Sequence, residues 1–421
     1  MDTLHDIAGR ARSAAAVLAT LPTDARNKAL LELAHRLEQD MNGVLVANEQ
    51  DVADGQAAGM DPALVDRLLL SRESLRAMAD DVRHVVNLPD PVGEEIDARV
   101  LPNGLHISRR RVPLGVLGVI YESRPNVTID VAALCLKSGN AVILRGGKEA
   151  RRSNEALAAL VGMALQATAL PADAVQMVRD PDRRLIGEMV RMRGEIDLIV
   201  PRGGRQLIEY VRDNAQVPVL AGGVGVCHTY VHADADLEKA LDIVHNAKTR
   251  RPSVCNALDT VLVHESVAPV FIRALARRWA GLPVEIRGCD RTVEILEAAE
   301  APGVWRRADP EDYGQEFLAL RAAVKVVDDL KGAVDHIERY GSGHSEAIVT
   351  EGYGTSREFV NRIDAAAVFV NASTGFTDGA QFGLGAEIGI STQKFHARGP
   401  LGLRELTSYK WVVLGDGQIR P

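Results

Sequence analysis

Cys255 stands in the run Lys248-Thr249-Arg250-Arg251-Pro252-Ser253-Val254-Cys255-Asn256. Positive charge close to a cysteine favours the thiolate, the form that attacks carbon. The proline in its approach predicts a shaped loop. The opposing reading is a small buried hydrophobe, the commoner fate of a cysteine outside a disulfide, and local context leaves both open. Cys135 shares the apolar face of a predicted helix with Val131 and Leu134, and Cys227 begins a predicted strand, so both are expected in the core. Cys289, in Arg287-Gly288-Cys289-Asp290, is expected to be an incidental surface-loop thiol.

Two turns have the chemistry of an anion site. Arg145-Gly146-Gly147-Lys148 directly follows a predicted buried strand. Its glycines let backbone approach a ligand, and its two cations suit a phosphate; a tight turn with solvated charges explains it as well. Pro201-Arg202-Gly203-Gly204 repeats the theme before a predicted helix, whose N-terminus favours anions. Ligands of open α/β sheets bind at the C-terminal ends of strands, where both turns fall. Asn126, in Tyr121-Glu122-Ser123-Arg124-Pro125-Asn126, sits between a strand and its helix. Its amide can cap that helix or donate to a reacting oxygen. The Gly-rich run Gly383–Thr392 carries only Glu387 as a charge; it is a loop near a ligand or merely a connection.

Several chemistries are excluded. No G-x-G-x-x-G follows a strand, Gly383-Leu384-Gly385 coming closest, so the usual Rossmann fingerprint is missing. Gly147-Lys148 lacks the upstream glycine of a P-loop, no His pair has metal-ligand spacing, and no G-x-S-x-G occurs. With 49 Lys plus Arg against 57 Asp plus Glu, the net charge is -8, which argues against a nucleic-acid partner beyond local basic pockets. The longest apolar run, near Val112–Tyr121, has about ten residues against the ~20 of a membrane helix. Asp2 and Asp6 spoil the basic start of a signal peptide. Four scattered cysteines without C-x-x-C give no disulfide framework, so a reducing cytoplasm is the expected setting.

The elements that must position these residues follow from periodicity. At 421 residues, 46% hydrophobic and 25% charged, the chain is expected to fold into two or three globular domains. Residues 1–90 read as helical, with apolar residues three and four apart in Ala29–Leu37 and Leu64–Val86. Ile96, Ala98 and Val100 alternate up to Pro102-Asn103-Gly104, and Leu105 and Ile107 after it, predicting a hairpin. Strands are then expected at 116–121, 141–144, 196–200, 229–232, 260–264, 323–327, 346–350 and 367–370. Helices are expected at 128–137, 154–165, from about 206, and at 237–248, 330–340 and 356–363. Strands separated by helices imply parallel βαβ units, hence an α/β fold.

Further runs carry a resemblance. Val112-Pro113-Leu114-Gly115, Tyr121 through Thr128, Leu144-Arg145-Gly146-Gly147-Lys148, Pro201-Arg202-Gly203-Gly204, Asn246-Ala247-Lys248, Arg251-Pro252 and Cys255-Asn256 occur in this order. Asn371-Ala372-Ser373-Thr374, Phe382-Gly383-Leu384-Gly385-Ala386-Glu387 and His396-Ala397-Arg398-Gly399-Pro400 follow. Together they resemble the γ-glutamyl phosphate reductase family, the glutamate-5-semialdehyde dehydrogenases of the aldehyde dehydrogenase superfamily, over nearly the whole chain.

The resemblance implies two parallel-sheet α/β domains plus a small β-hairpin flap. An NADP-binding domain would comprise 1–95, 113–226 and 376–397, a catalytic domain 227–375, and an oligomerisation flap 96–112 and 398–421. It implies NADPH-dependent reduction of γ-glutamyl phosphate to glutamate 5-semialdehyde in a cytoplasmic homo-oligomer, a dimer or tetramer, with glutamate kinase as a candidate partner and no metal. Cys255 matches the nucleophile and Asn126 the oxyanion donor. Arg145 and Lys148 match the readers of the adenosine ribose, Gly203 and Gly204 the pyrophosphate turn, and Glu316 the acid on the nicotinamide ribose. Arg124 and Arg251 are candidates for the leaving phosphate.

One departure stands out. The family usually reads Asn-Ala-Ser-Thr-Arg-Phe-Thr-Asp-Gly-Gly, and here Gly375 replaces the arginine and Ala380 the second glycine. A weakened carboxylate site is expected unless another cation substitutes. A catalytically silent scaffold is the competing reading that Gly375 supports. A hydrolytic aldehyde dehydrogenase is the other competitor. Such enzymes carry a Glu before the glycine pair matching Gly222-Gly223, where this chain has Leu220-Ala221.

Overall fold

The computed structural model describes residues 2–420. The chain forms two compact units. The first takes in the N-terminal residues through Gly222, Gly383–Gly389 and the segment from Pro400; the second holds Gly223–Phe382 and Ile390–Gly399.

The first unit opens with five helices, Leu4–Leu18, Thr23–Gln39, Met41–Ala57, Pro62–Leu68 and Arg72–Asn87. The run expected as one pattern over Leu64–Val86 is broken at Leu69–Ser71. Ser71 caps the following helix by accepting from Ser74 N, and buried Asn48 ties the break by bonding both Leu68 O and Leu70 N at 2.8 Å. A four-stranded parallel sheet follows in the order Val175–Met177, Ala141–Gly146, Val116–Tyr121, Leu198–Arg202. Every residue of Val116–Tyr121 is buried, which explains its unbroken apolar run. The edge strand Val175–Met177, three residues long, is too short to leave a periodic signal. The hairpin forms from Glu95–Val100 and His106–Pro113, but a bulge between Ile96 and Arg99, with Asp97 at φ +55°, breaks the expected alternation. Thr407–Leu414 adds a third antiparallel strand, pairing from Thr407↔Pro113 to Leu414↔His106.

The second unit is built on seven parallel strands in the order Val304–Arg307, Glu285–Gly288, Arg321–Val327, Leu258–His264, Cys227–Val231, Ser345–Val349, Ala367–Val370. The helix Ala268–Trp279 packs fully buried Phe271 and Trp279 into the core on one side of that sheet. It was not anticipated, and neither were the helix Asp290–Ala298, the edge strand 304–307 and its neighbour 285–288. Those strands read Glu-Ile-Arg-Gly and Val-Trp-Arg-Arg, so charge masks them. Arg287 is neutralised by Glu285 and Asp312. Cys289 is not the surface-loop thiol expected. It begins the helix Asp290–Ala298, its sulfur accepts from Val326 N at 3.4 Å, and it packs against the buried core. Cys135 and Cys227 are fully buried. Among the described residues, no helix is long and apolar enough to cross a membrane.

Candidate active site

In the second unit the candidate residues lie on the segments that enter strands rather than on those that leave them. Gly225 precedes the strand Cys227–Val231, Cys255 precedes Leu258–His264, and Glu316 precedes Arg321–Val327. Cys255 is half-buried, on the loop after the helix Leu237–Thr249, and outside any disulfide.

Three anchors fix that loop. Asn256 Nδ2 donates to Thr377 O at 3.0 Å and reaches Gly375 O at 3.4 Å, while Thr374 Oγ1 donates to Asn256 O at 2.8 Å. The Cys227 thiol donates to Cys255 O at 3.2 Å. Burial, with Asp259 and Glu346 nearby, holds the Cys227 thiol well above its usual range, so it keeps the proton it donates. The third anchor is steric: Gly225 lies so close that a Cβ on it would collide with the carbonyl of Cys255. Gly225→Ala should therefore displace the backbone of Cys255. If Cys255 is the reacting group, the expected result is a loss in kcat of about a hundredfold, the cost of misplacing such a group by ~1 Å; steady-state kinetics check it.

Gly225 also connects to Glu316, whose Oε1 accepts from Gly225 N at 3.1 Å. The next residue is tied down too, Phe317 N donating to Asp259 Oδ1 at 3.0 Å. Asp259 faces Lys248 Nζ at 3.6 Å, and Lys248 also donates to Ala319 O at 3.1 Å. Burial raises the Asp259 carboxyl to about 6 against the pull of Lys248, and lowers Lys248 in turn. Lys248 is thus buried and engaged, and is not an exposed cation beside the cysteine. Arg250 and Arg251 are exposed.

In the first unit the corresponding groups stand where strands end. Arg145, Lys148 and Gly204 line one cleft of about 780 Å³ with Glu122 and Arg183. Arg145 is 5% exposed and donates to Gly146 O at 3.0 Å and Pro181 O at 2.8 Å. It shapes the wall, leaving Lys148 as the exposed cation of that turn. Gly203 and Gly204 precede the helix Arg205–Asn214. Glu122 Oε2 accepts from Gly204 N at 3.1 Å, and a Cβ on Gly203 would collide with that carboxylate. An anionic side chain thus already rests on this helix N-terminus, where negative charge is favoured. Glu122 was not singled out from the sequence, because it lies 82 residues from its partner.

Arg124 and Asn126 belong to the turn after Tyr121. Ser123 takes φ +48° there, and its N and Oγ donate to Glu149 Oε1 at 2.7 and 3.0 Å. Arg124 is half-buried. Asn126 occupies the position before the helix Val127–Lys137 but makes no capping bond; its Nδ2 donates to Asp130 Oδ2 at 2.9 Å. Burial raises the Asp130 carboxyl to about 7. Among the described residues, no group of three or more His, Cys, Asp or Glu side chains has the arrangement to hold a metal ion.

Comparison with known proteins agrees with this chemistry. The profile of the aldehyde dehydrogenase family matches residues 2–295. The chain is 52% identical over 417 residues to a γ-glutamyl phosphate reductase from Dehalococcoides mccartyi, covering 99% of this chain and 98% of the relative. It is 54% identical over 424 residues to another from Roseiflexus castenholzii, covering both in full. Its structure superposes on the crystal structure of γ-glutamyl phosphate reductase from Thermotoga maritima with a TM-score of 0.96 at 48% identity, covering both chains in full. An acetylating aldehyde dehydrogenase from Geobacillus thermoglucosidasius, at 16% identity and a TM-score of 0.71 over 99% of this chain and 97% of that one, shares the fold.

Proposed function

The chain belongs to the aldehyde dehydrogenase family and within it to the γ-glutamyl phosphate reductases; it reduces γ-glutamyl phosphate to glutamate 5-semialdehyde in proline biosynthesis, and we propose that it does so with NADPH, through a thioester on Cys255. The observation that carries the thioester is the loop of Cys255, a half-buried thiol with its backbone held from three sides.

The Cys255 thiolate attacks the acyl carbon, the carbon–oxygen bond to phosphate breaks, and the thioester forms. Arg251 and Arg124 receive the leaving phosphate. A bound NADPH supplies the hydride that the thioester carbonyl needs. The Asn126 amide and the Cys255 backbone N–H hold the oxyanion that develops there. Collapse of the thiohemiacetal, with its hydroxyl proton passing to water, breaks the carbon–sulfur bond and frees the aldehyde and the thiolate. The Glu with which hydrolytic members activate water is not at its usual place, since Leu220-Ala221 precede Gly222-Gly223.

A nicotinamide cofactor suits the cleft of the first unit. Gly203 and Gly204 with the helix behind them take the pyrophosphate, Arg145 shapes the wall by the adenosine ribose, and Lys148 reads the 2′-phosphate. Glu316 holds the nicotinamide ribose. Lys148→Glu should raise the KM for NADPH about tenfold, the worth of one exposed charge-assisted bond, and spare NADH. Equal use of both cofactors by the unaltered protein contradicts the preference.

The same reading extends to a cofactor domain of 1–95, 113–226 and 376–397, a catalytic domain of 227–375 and an oligomerisation flap of 96–112 and 398–421. It places the protein in the cytoplasm as a dimer or tetramer joined through that flap, with an upstream glutamate kinase delivering the labile acyl phosphate. The overall reaction is tested in reverse. Pyrroline-5-carboxylate, phosphate and NADP should together generate NADPH absorbance, and absorbance that ignores phosphate rejects the acyl-phosphate chemistry.

A further inference from the structure

We propose that Arg250 is the specificity-determining residue for the substrate's free carboxylate, its guanidinium lying on the face of Gly375 beside the loop of the nucleophile. The proposal rests on the reading of Cys255 as the group that takes up γ-glutamyl phosphate.

That substrate carries two anionic ends, an acyl phosphate at the reacting carbon and a carboxylate several bonds away. Each needs a cation when it leaves water. The Cys255 loop and the helix end before it carry three cations, and Lys248 is withdrawn into its bond with Asp259 and Ala319 O. Arg250 and Arg251 remain exposed, and among the described residues no carboxylate is seen to pair with either. Two neighbouring cations thus match two anionic ends. Arg251, nearer the nucleophile in sequence, is assigned above to the phosphate.

The position of Arg250 is specific. Its Nη2 lies 3.5 Å from Gly375 O. A Cβ built on Gly375 would find Ser373 Oγ at 3.3 Å, Arg250 Nε at 3.5 Å and Arg250 Nη2 at 3.7 Å. The guanidinium therefore covers the face from which a side chain at 375 would rise. Gly375 is in turn fixed to the nucleophile's neighbour through Asn256 and Thr374. One long contact leaves most of the five N–H donors of Arg250 available for bidentate capture of a carboxylate. Arg250 also closes the helix Leu237–Thr249, donating its N–H to Asn246 O at 3.2 Å, and a cation is favoured at that end.

This revises the expectation of a weakened site. Gly375 is the space that admits Arg250, and an arginine added at 375 would meet a like charge. Gly375→Arg alone should bring no gain.

The test compares γ-glutamyl phosphate with butyryl phosphate, an acyl phosphate of similar length that lacks the carboxylate. Arg250→Gln should lower kcat/KM for γ-glutamyl phosphate about ten- to a hundredfold, the worth of one charge-assisted pair. It should change butyryl phosphate less than about threefold and leave the KM for NADPH in place. The double variant R250Q/G375R should recover most of the loss by moving the guanidinium across the contact. Equal losses on both substrates, as from simple loosening of the loop, overturn the proposal, and so does an unchanged kcat/KM for γ-glutamyl phosphate. Failure of the parent reading looks different: Cys255→Ala would then still turn over either acyl phosphate.

Discussion

Cys255→Ala should reduce turnover of γ-glutamyl phosphate by at least about a thousandfold, because removal of a covalent nucleophile leaves only binding and oxyanion stabilisation. The fold should survive. The anchors of this loop run through the backbone and Asn256, and Cys255 as a residue is only half-buried. The melting temperature should therefore stay close to that of the unaltered chain. Without reductant, γ-glutamyl phosphate should add a glutamyl mass to the peptide carrying Cys255, and the alanine variant should not label. Cys135→Ala and Cys289→Ala should keep most activity. Cys227→Ala is a subtler control. It removes a buried side chain and the donor to Cys255 O, so about 1–2 kcal/mol of stability should go, while most turnover remains. Substantial turnover by Cys255→Ala, or labelling at Cys227, rejects the assignment.

The sequence made the Cys255 loop and both glycine turns legible because each is a contiguous run with a chemical reason for its residue types. The βαβ order was legible where strands are buried on both faces, as at Val116–Tyr121. It faded over 268–307, where two four-residue strands carry charges and the cations find partners only in three dimensions, as Arg287 does with Asp312. Contacts between distant runs left no trace either. Glu122 resting on Gly204, Gly225 pressed against Cys255 and Arg250 over Gly375 join residues 82, 30 and 125 positions apart. Both turns of the first unit lie at strand C-terminal ends, whereas Gly225, Cys255 and Glu316 of the second lie on segments entering their strands. A glycine there signals close backbone approach, and what approaches is visible only in the fold.

Asn126→Ala should lower kcat about a hundred- to a thousandfold, the cost of one oxyanion donor, with KM for both substrates nearly unchanged. The neighbouring carboxyl adds a pH dependence whose sign can be worked out. Asn126 Nδ2 donates one hydrogen to Asp130 Oδ2 at 2.9 Å, which orients the amide; the proposed oxyanion contact would use the second hydrogen. Burial raises Asp130 to about 7, opposed by the bond from Asn126 and by Arg202 of the strand Leu198–Arg202, and assisted by Asp81 of the helix Arg72–Asn87. Above that pH the carboxylate holds the amide through a charge-assisted bond; below it, protonation weakens the hold. The kcat should therefore fall as pH drops through about 7. Stability runs the other way. Because the folded pKa lies above the unfolded one, the folded state holds more protons between them, and the stability due to Asp130 is lost as pH rises from about 4 through 7. Asp130→Asn keeps an acceptor for Asn126 but, like the protonated acid, carries no charge, so it should flatten both curves and hold kcat across the range near the low-pH level of the unaltered chain. A kcat profile in Asp130→Asn that still falls through pH 7 assigns that step to another group and detaches Asp130 from Asn126.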